Sequence, residues 1–169
     1  FNSNLNEWED SITMTHEDLA GLPDAYIDRL EPGEIEGTYR VTMDYPDYIP
    51  FIEEAQNRDL RRQMQFKFWN RAAEANTPLL AEAVEVRNEI AFLHGYETWA
   101  EYAMEVKMAD PDAVDALYAS IIPGLTTRAT RELAALQKLA DPDLHGDSIR
   151  SWDWMYYHTR QRRQDFGID

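Results

Sequence analysis

The stretch NRDLRRQMQFKFWNRA, residues 57–72, carries the clearest folding signal in the chain. Its apolar residues recur at every fourth position: Leu60, Met64, Phe68 and Ala72. This spacing places them along one face of an α-helix. Asn57 stands just before the pattern and is a residue type that caps helix N-termini. The stretch therefore predicts an amphipathic helix that follows Asn57, ends near Asn76 and packs its apolar face on a core.

Outward from this stretch, capping residues, prolines and apolar periodicity predict helices along most of the chain. The predicted ranges are 15–30, 77–93, 98–108, 110–140 and 151–164, and Pro123 is expected to kink or split the fourth. Residues 38–43 alternate apolar with polar side chains, which is typical of a half-buried strand, and Pro46 and Pro50 are expected to end it. The sequence predicts a mainly α fold with one short strand or hairpin arm.

Composition excludes several classes of function. The 16 basic and 32 acidic residues give a net charge of −16, which repels nucleic-acid phosphates and anionic lipid, so neither nucleic acid nor membrane is expected as a partner. Without cysteine the chain has no thiolate nucleophile or disulfide. No apolar run reaches membrane-spanning length, and the first residues lack the pattern of a signal peptide. A cytoplasmic location is expected, although the chain starts at Phe1 and leaves an upstream signal open.

Histidines and arginines add no catalytic motif. His16-Glu17 begins like the H-E-x-x-H zinc motif, but Ala20 stands where the second histidine belongs, so a helix cap is the favoured interpretation. The other histidines are isolated in sequence. The helical arginines are interpreted as surface or interhelical partners of carboxylates: Arg61, Arg62, Arg71 and Arg87.

The segment from Ser151 onward is rich in aromatic residues, at Trp152, Trp154, Tyr156 and Tyr157. On a helix these side chains fall on both sides of the wheel. One set is expected in a core and the other on a cleft, a partner or another domain.

An ordered series of short motifs matches a known family. The series comprises Leu22-Pro23, Tyr39 to Thr42, Pro46, Tyr48, Pro50, Arg58, Arg61, Arg71, Asn76 to Pro78, Arg87, Ala91, Leu93 to Tyr96, Ala100 to Tyr102, Lys107-Met108, Trp152-Asp153 and Tyr156-Tyr157. In this order the motifs resemble the thimet oligopeptidase family of zinc peptidases, which includes oligopeptidase A and the bacterial peptidyl-dipeptidases. His94 departs from the family, which more often has leucine there.

The resemblance implies a helical, bundle-like lobe of a two-lobed peptidase with a channel between the lobes. Residues 1–169 would be part of a single peptidase domain, cut just before its zinc-binding core, with a sub-boundary in the loop 141–150. One zinc ion is expected in the intact protein, with its ligands and the catalytic residues after Asp169 and none in this chain. Trp152, Tyr156 and Tyr157 are candidates to line the channel or contact the other lobe.

The implied function is a non-catalytic, channel-forming portion of a zinc oligopeptidase. Its partners would be oligopeptide substrates and the remainder of the same polypeptide. Two alternatives stay open: a self-contained helical protein-interaction module, and a family member that has lost the metal site. The motifs do not distinguish endopeptidase from dipeptidyl carboxypeptidase activity.

Overall fold

A three-stranded antiparallel sheet lies near the start of the chain in the computed structural model, which describes residues 1–167. Strand β1 is Ser11–Thr15, β2 is Glu31–Pro32 and β3 is Thr38–Thr42, in the order β1-β3-β2. Ile12 pairs with Val41 and Met14 with Tyr39. These four apolar residues share one face of the sheet, because every second residue of a strand points the same way. That face packs on the core.

Helices make up most of the described residues, which confirms the mainly α prediction. In chain order they are α1 Asn2–Asn6, α2 Asp24–Ile27, α3 Tyr45–Glu54, α4 Arg58–Trp69, α5 Ala73–Leu93, α6 Trp99–Met104, α7 Pro111–Leu144 and α8 Ser151–Phe166.

The described chain divides into two compact units. The first unit comprises residues 1–6 and 72–132, and the second comprises 7–71 and 133–167. The second unit contains two apolar clusters. One lies under the sheet and includes Val41, Phe51 and Met64; the other joins the end of α7 to α8. The prediction of one peptidase domain with a sub-boundary at 141–150 stays a prediction.

Helix α4 confirms the amphipathic helix predicted to follow Asn57. The Asn57 side chain accepts a hydrogen bond from the Leu60 amide, as its capping role requires. Met64 and Phe68 are buried on the predicted face. The helix ends at Trp69, earlier than predicted, because Ala72 takes a left-handed conformation (φ 52°) that separates α4 from α5.

The prediction of one continuous helix over 15–30 is wrong, because only a 3-10 turn at Glu17–Leu19 and the single-turn helix α2 form there. Residues Ser11–Thr15 form β1, although the alternation of Ile12 and Met14 with polar neighbours was a readable strand signal. The Thr15 and Asp18 side chains do exchange the capping hydrogen bonds, but they cap only a 3-10 turn, Glu17–Leu19. At Gly21 (φ 97°) a Cβ would lie 2.4 Å from the Glu54 carbonyl oxygen, so the close packing of this turn on α3 requires glycine.

Pro46 and Pro50 were expected to end a strand, but both lie in helix α3. Pro46 lies in the first turn of α3, where a missing N–H costs nothing, and Pro50 lies inside the helix. Pro50 cannot donate to the Pro46 carbonyl one turn earlier. Arg29 donates to that carbonyl through Nη2, so the structure supplies the donor that the proline lacks.

Two further boundaries differ from prediction. Helix α5 starts at Ala73, one turn before the predicted Thr77-Pro78 start, so Pro78 lies inside it. Helix α7 runs unbroken through Pro123 and ends at Leu144, which shortens the loop predicted for 141–150. A helix of 34 residues retains its hydrogen bonds on both sides of a proline and loses only one locally.

The Thr98–Glu101 capping box and the left-handed Gly95 (φ 86°) are confirmed as the start of α6 and the end of α5. The end of α8, at Phe166, lies close to its predicted position. In the part of the chain that the structure describes, no helix is both long and apolar enough to cross a membrane.

Candidate functional site

A buried aspartate near the start of α8 is the centre of the best-defined polar site in the second unit. Asp153 is the third residue of α8, where a carboxylate can accept from the free amides of the helix N-terminus. Its Oδ2 accepts from the Arg150 amide at 3.0 Å. The side chain has no exposed area, and a carboxylate so far from water requires charged donors.

Arg61 of α4 is the first of these donors. Its side chain is 1% exposed, and its Nη2 donates to Asp153 Oδ1 at 2.8 Å. Its other N–H groups donate to main-chain carbonyls: Nη1 to Ala55 at 2.7 Å and to Gln56 at 3.2 Å, and Nε to Trp152 at 3.2 Å. The Arg61 guanidinium thus links α4 to α8 through Trp152 and Asp153, and to the segment before α4 through Ala55 and Gln56.

Arg58 is the second donor and extends the network toward solvent. Its Nε lies 3.1 Å from both Asp153 carboxylate oxygens and its Nη2 lies 2.9 Å from Oδ2. Its Nη1 donates to Asp147 at 2.5 Å. The hydrogen bonds to Asp153 raise the pKa of Arg58 above its usual value, and the hydrogen bond from Arg58 lowers the pKa of Asp147. Every charge of this cluster is paired, so its role is to position helices.

The three aromatic residues singled out in the sequence lie around this network. Tyr156 and Tyr157 are 5% and 1% exposed and belong to the apolar cluster with α7, whereas Trp152 is half-buried. The Tyr156 ring lies 4.0 Å from the guanidinium carbons of both Arg61 and Arg160. Their role as channel or lobe contacts stays a prediction, and within this chain both tyrosines contribute to its own core.

Burial also raises the pKa values of the two tyrosine hydroxyls. The Tyr157 hydroxyl donates to Asp143 at 3.3 Å, and burial, aided by the Asp143 charge, raises the pKa of Tyr157 to about 12. Burial likewise raises the pKa of Tyr156. Both hydroxyls therefore stay protonated at neutral pH and act as neutral groups.

A groove of about 1580 Å³ opens beside the network, between α4 and the start of α8, within the second unit. We call it the aromatic groove. Its exposed aromatic lining consists of Tyr45, Phe66, Trp69 and Trp154, with half-buried Trp152 at the base of α8. Four large aromatic side chains on one concave surface are more than an isolated monomer surface usually presents, and such surfaces bind partners or ligands.

The charges of the aromatic groove have the opposite sign to those of the whole chain. Its charged lining consists of Arg62, Lys67, Arg150 and Asp59. Lys67 pairs with Asp10 at 2.5 Å, whereas Arg62 has no ion-pair partner among the described residues and lies 5.4 Å from the Trp152 ring. The groove lining therefore has two cationic side chains, Arg62 and Arg150, that form no ion pair within the described residues.

The other arginines follow the predicted patterns only in part. Arg61 is an interhelical partner of a carboxylate, as interpreted, but it is fully buried. Arg71 lies over the Phe68 ring at 3.7 Å and Arg87 lies 5.7 Å from Trp99. Both of these arginines pack on aromatic rings. Arginine is suited to this contact because its planar cation is weakly hydrated.

None of the histidines assembles a metal site. His94 ends α5 and stacks on Tyr102 at 4.9 Å, and His158 stacks on Trp154 at 5.0 Å. Across residues 1–167, no group of three or more His, Cys, Asp or Glu side chains is arranged to hold a metal ion. The described residues therefore do not fit a zinc ion, whose ligands the family resemblance places after Asp169.

Sequence reasoning did not single out Asp153 and Arg58 as a site, although both stand in the motifs that carried the resemblance. An acid three residues into an aromatic helix was a usable signal. Its arginine partners are more than 90 residues away in sequence, so only the fold identifies them.

Comparisons with known proteins agree with the motif series. The family model described as Peptidase family M3 matches residues 51–169. Saccharolysin of Saccharomyces cerevisiae is 30% identical over the whole chain and 25% of its own length. Oligopeptidase A of Salmonella typhimurium is 29% identical over 95% of the chain and 25% of its own length. A probable cytosolic oligopeptidase A of Arabidopsis thaliana is 28% identical over 79% of the chain and 20% of its own length. The chain spans about a quarter of the length of these relatives.

Proposed function

The chain belongs to peptidase family M3, and from that premise we propose that it is a non-catalytic, channel-forming portion of a zinc-dependent oligopeptidase. The intact protein hydrolyses peptide bonds in short peptides, and its metal and catalytic residues lie outside this chain. The observation that carries the proposal is the family match over residues 51–169. The alignment to saccharolysin adds to it, because it covers all of this chain and a quarter of that protein.

The buried charge network around Asp153 supports a structural role, as part of a channel wall, and not a catalytic one. The Arg58–Arg61–Asp153 network has no unpaired charge to move a proton, and it fixes α8 on α4 beside the aromatic groove. A rigid wall with a concave aromatic surface suits a channel that admits extended peptides. The cytoplasmic location stays a prediction, because one Arabidopsis relative is named cytosolic and another is named organellar.

The proposal is tested by comparing residues 1–169 with the protein encoded by the whole reading frame. An internally quenched nonapeptide is the substrate, and bound zinc is measured by atomic emission. We expect the intact protein to cleave the peptide, to hold one zinc ion and to lose activity with a chelator. Residues 1–169 alone, shown to be folded by circular dichroism, should cleave nothing and hold no stoichiometric zinc.

Two outcomes overturn the proposal. Chelator-sensitive cleavage by residues 1–169 alone would place the chemistry inside this chain. A reading frame that closes after Asp169, or one that continues without an H-E-x-x-H motif and a further glutamate ligand, would favour an interaction module or a relative that has lost the metal site.

A further inference from the structure

We propose that the aromatic groove binds acidic oligopeptides, with Arg62 receiving a peptide carboxylate and Phe66, Trp69 and Trp154 receiving the apolar side chains beside it. This assignment rests on the proposed function, because it takes the occupant to be a peptide substrate of the intact enzyme. It adds to that function a charge preference and the residue that sets it.

Charge is the first argument. The chain carries −16 overall, so its long-range field attracts cations and repels anions. The groove lining has three cationic side chains and one acidic side chain, and only Lys67 among the cations has an ion-pair partner in the described chain. A carboxylate that enters the groove finds in Arg62 a planar donor that forms no ion pair within the described residues, although Asp59 lines the same groove.

Geometry is the second argument. Arg62 lies one turn before Phe66 on α4, so the two side chains share one face of that helix. Its guanidinium lies 5.4 Å from the Trp152 ring, which orients the cation while leaving its N–H groups available. Phe66 is 68% exposed and Trp154 is 49% exposed. Side chains two residues apart in an extended peptide point the same way, so a carboxylate and an apolar side chain at such positions can reach Arg62 and Phe66 together.

A second copy of this chain is a weaker occupant. Each copy carries −16, and bringing two such copies together costs electrostatic energy that a single short peptide avoids. A short acidic peptide brings only the few charges that the groove complements.

The test uses fluorescence anisotropy with two labelled octapeptides, one that repeats Leu-Leu-Glu-Glu and one that repeats Leu-Leu-Lys-Lys, because each side of such an extended peptide carries both residue types. The chain of residues 1–169 is titrated with each, at about 150 mM salt so that the long-range field is screened. We expect the glutamate peptide to bind at least tenfold more tightly than the lysine peptide. The net charge of the chain alone predicts the opposite order, so the order of affinities is decisive.

Variants then locate the binding. Arg62→Ala should weaken binding of the glutamate peptide about tenfold, the scale of one charge-assisted contact, and Phe66→Ala should weaken both peptides. Arg128→Ala is the matched control, because Arg128 is an exposed arginine of α7 that pairs only with Glu132 in the next turn. Preference for the lysine peptide, no binding of the glutamate peptide, or equal losses in the Arg62 and Arg128 variants would overturn the assignment. A dimer by light scattering whose formation excludes the peptide would assign the groove to a second copy instead.

The outcome is separable from that of the proposed function. If the intact protein cleaves peptides but Arg62→Ala leaves KM unchanged for acidic and basic peptides, the enzyme proposal stands and the groove assignment falls. If the intact protein cleaves nothing while residues 1–169 bind the glutamate peptide through Arg62, the enzyme proposal falls and the groove remains an acidic-peptide site.

Discussion

Asp153 shows at the scale of one residue how a buried charge can specify the packing of distant segments. It accepts from Arg58, Arg61 and the Arg150 amide, and its side chain has no contact with solvent. A buried ion pair is not by itself a large source of stability, since desolvation offsets the attraction. Its value lies in specificity: α8 has one position in which Asp153 reaches both guanidinium groups of α4.

Replacing Asp153 should therefore be costly. Asp153→Asn keeps the size of the side chain and leaves the buried Arg61 cation without its counter-charge, so we expect the free energy of unfolding to fall by about 3–5 kcal/mol. Urea unfolding followed by circular dichroism measures this change. Asp147→Asn is the control, because Asp147 is exposed and also pairs with Arg58; its loss should be much smaller, since solvent screens an exposed ion pair. Equal losses in both variants would show that burial of the pair is not what matters.

Helix α3 shows how a side chain from elsewhere in the fold can replace a missing backbone donor. Pro50 leaves the Pro46 carbonyl without its helical partner, and Arg29 donates to that carbonyl while its Nη1 pairs with Asp47 at 2.7 Å. Asp47 in turn accepts from the Thr42 amide at 3.0 Å, which ties α3 to β3. The helix therefore tolerates its internal proline through tertiary contacts.

A double-mutant cycle tests this compensation. In Pro50→Ala the restored amide can donate to the Pro46 carbonyl, so Arg29→Met should cost less in that background than in the parent chain. We expect a coupling of about 0.5–1.5 kcal/mol, the net worth of one hydrogen bond, from thermal and urea unfolding of the four proteins. Additive losses would mean that Arg29 stabilises the fold through Asp47 alone.

At the scale of the whole molecule the dominant quantity is net charge. A charge of −16 on 169 residues destabilises the folded state through self-repulsion, and salt screens this repulsion. The fully buried pair between Arg61 and Asp153 is shielded from salt by its burial. Screening should thus affect the repulsion more than the interactions that hold the fold.

Stability should accordingly rise with salt. Between about 10 mM and about 150 mM sodium chloride the screening length falls from about 30 Å to about 8 Å, and we expect the midpoint of thermal unfolding at pH 7 to rise by a few degrees. Scanning calorimetry measures the shift. The same titration near pH 4.5, the isoelectric point of the chain, should show little change because the net charge there is close to zero. A fall in the midpoint at pH 7 would show that exposed ion pairs outweigh the repulsion.

Local signals in the sequence determined much of this protein: the Asn57 cap and apolar face of α4, the Thr98–Glu101 box, strand β3, helix α8 and the ordered motifs of family M3. These features depend on residues within one or two turns of each other, so periodicity and capping chemistry reveal them. The tertiary structure alone decided the rest. The donor that supports α3 around Pro50, the pairing of Asp153 with Arg58 and Arg61, and the unpaired Arg62 in an aromatic groove all depend on residues brought together by folding. A sequence pattern reports which residue types are neighbours along the chain, whereas burial and charge pairing are set by neighbours in space.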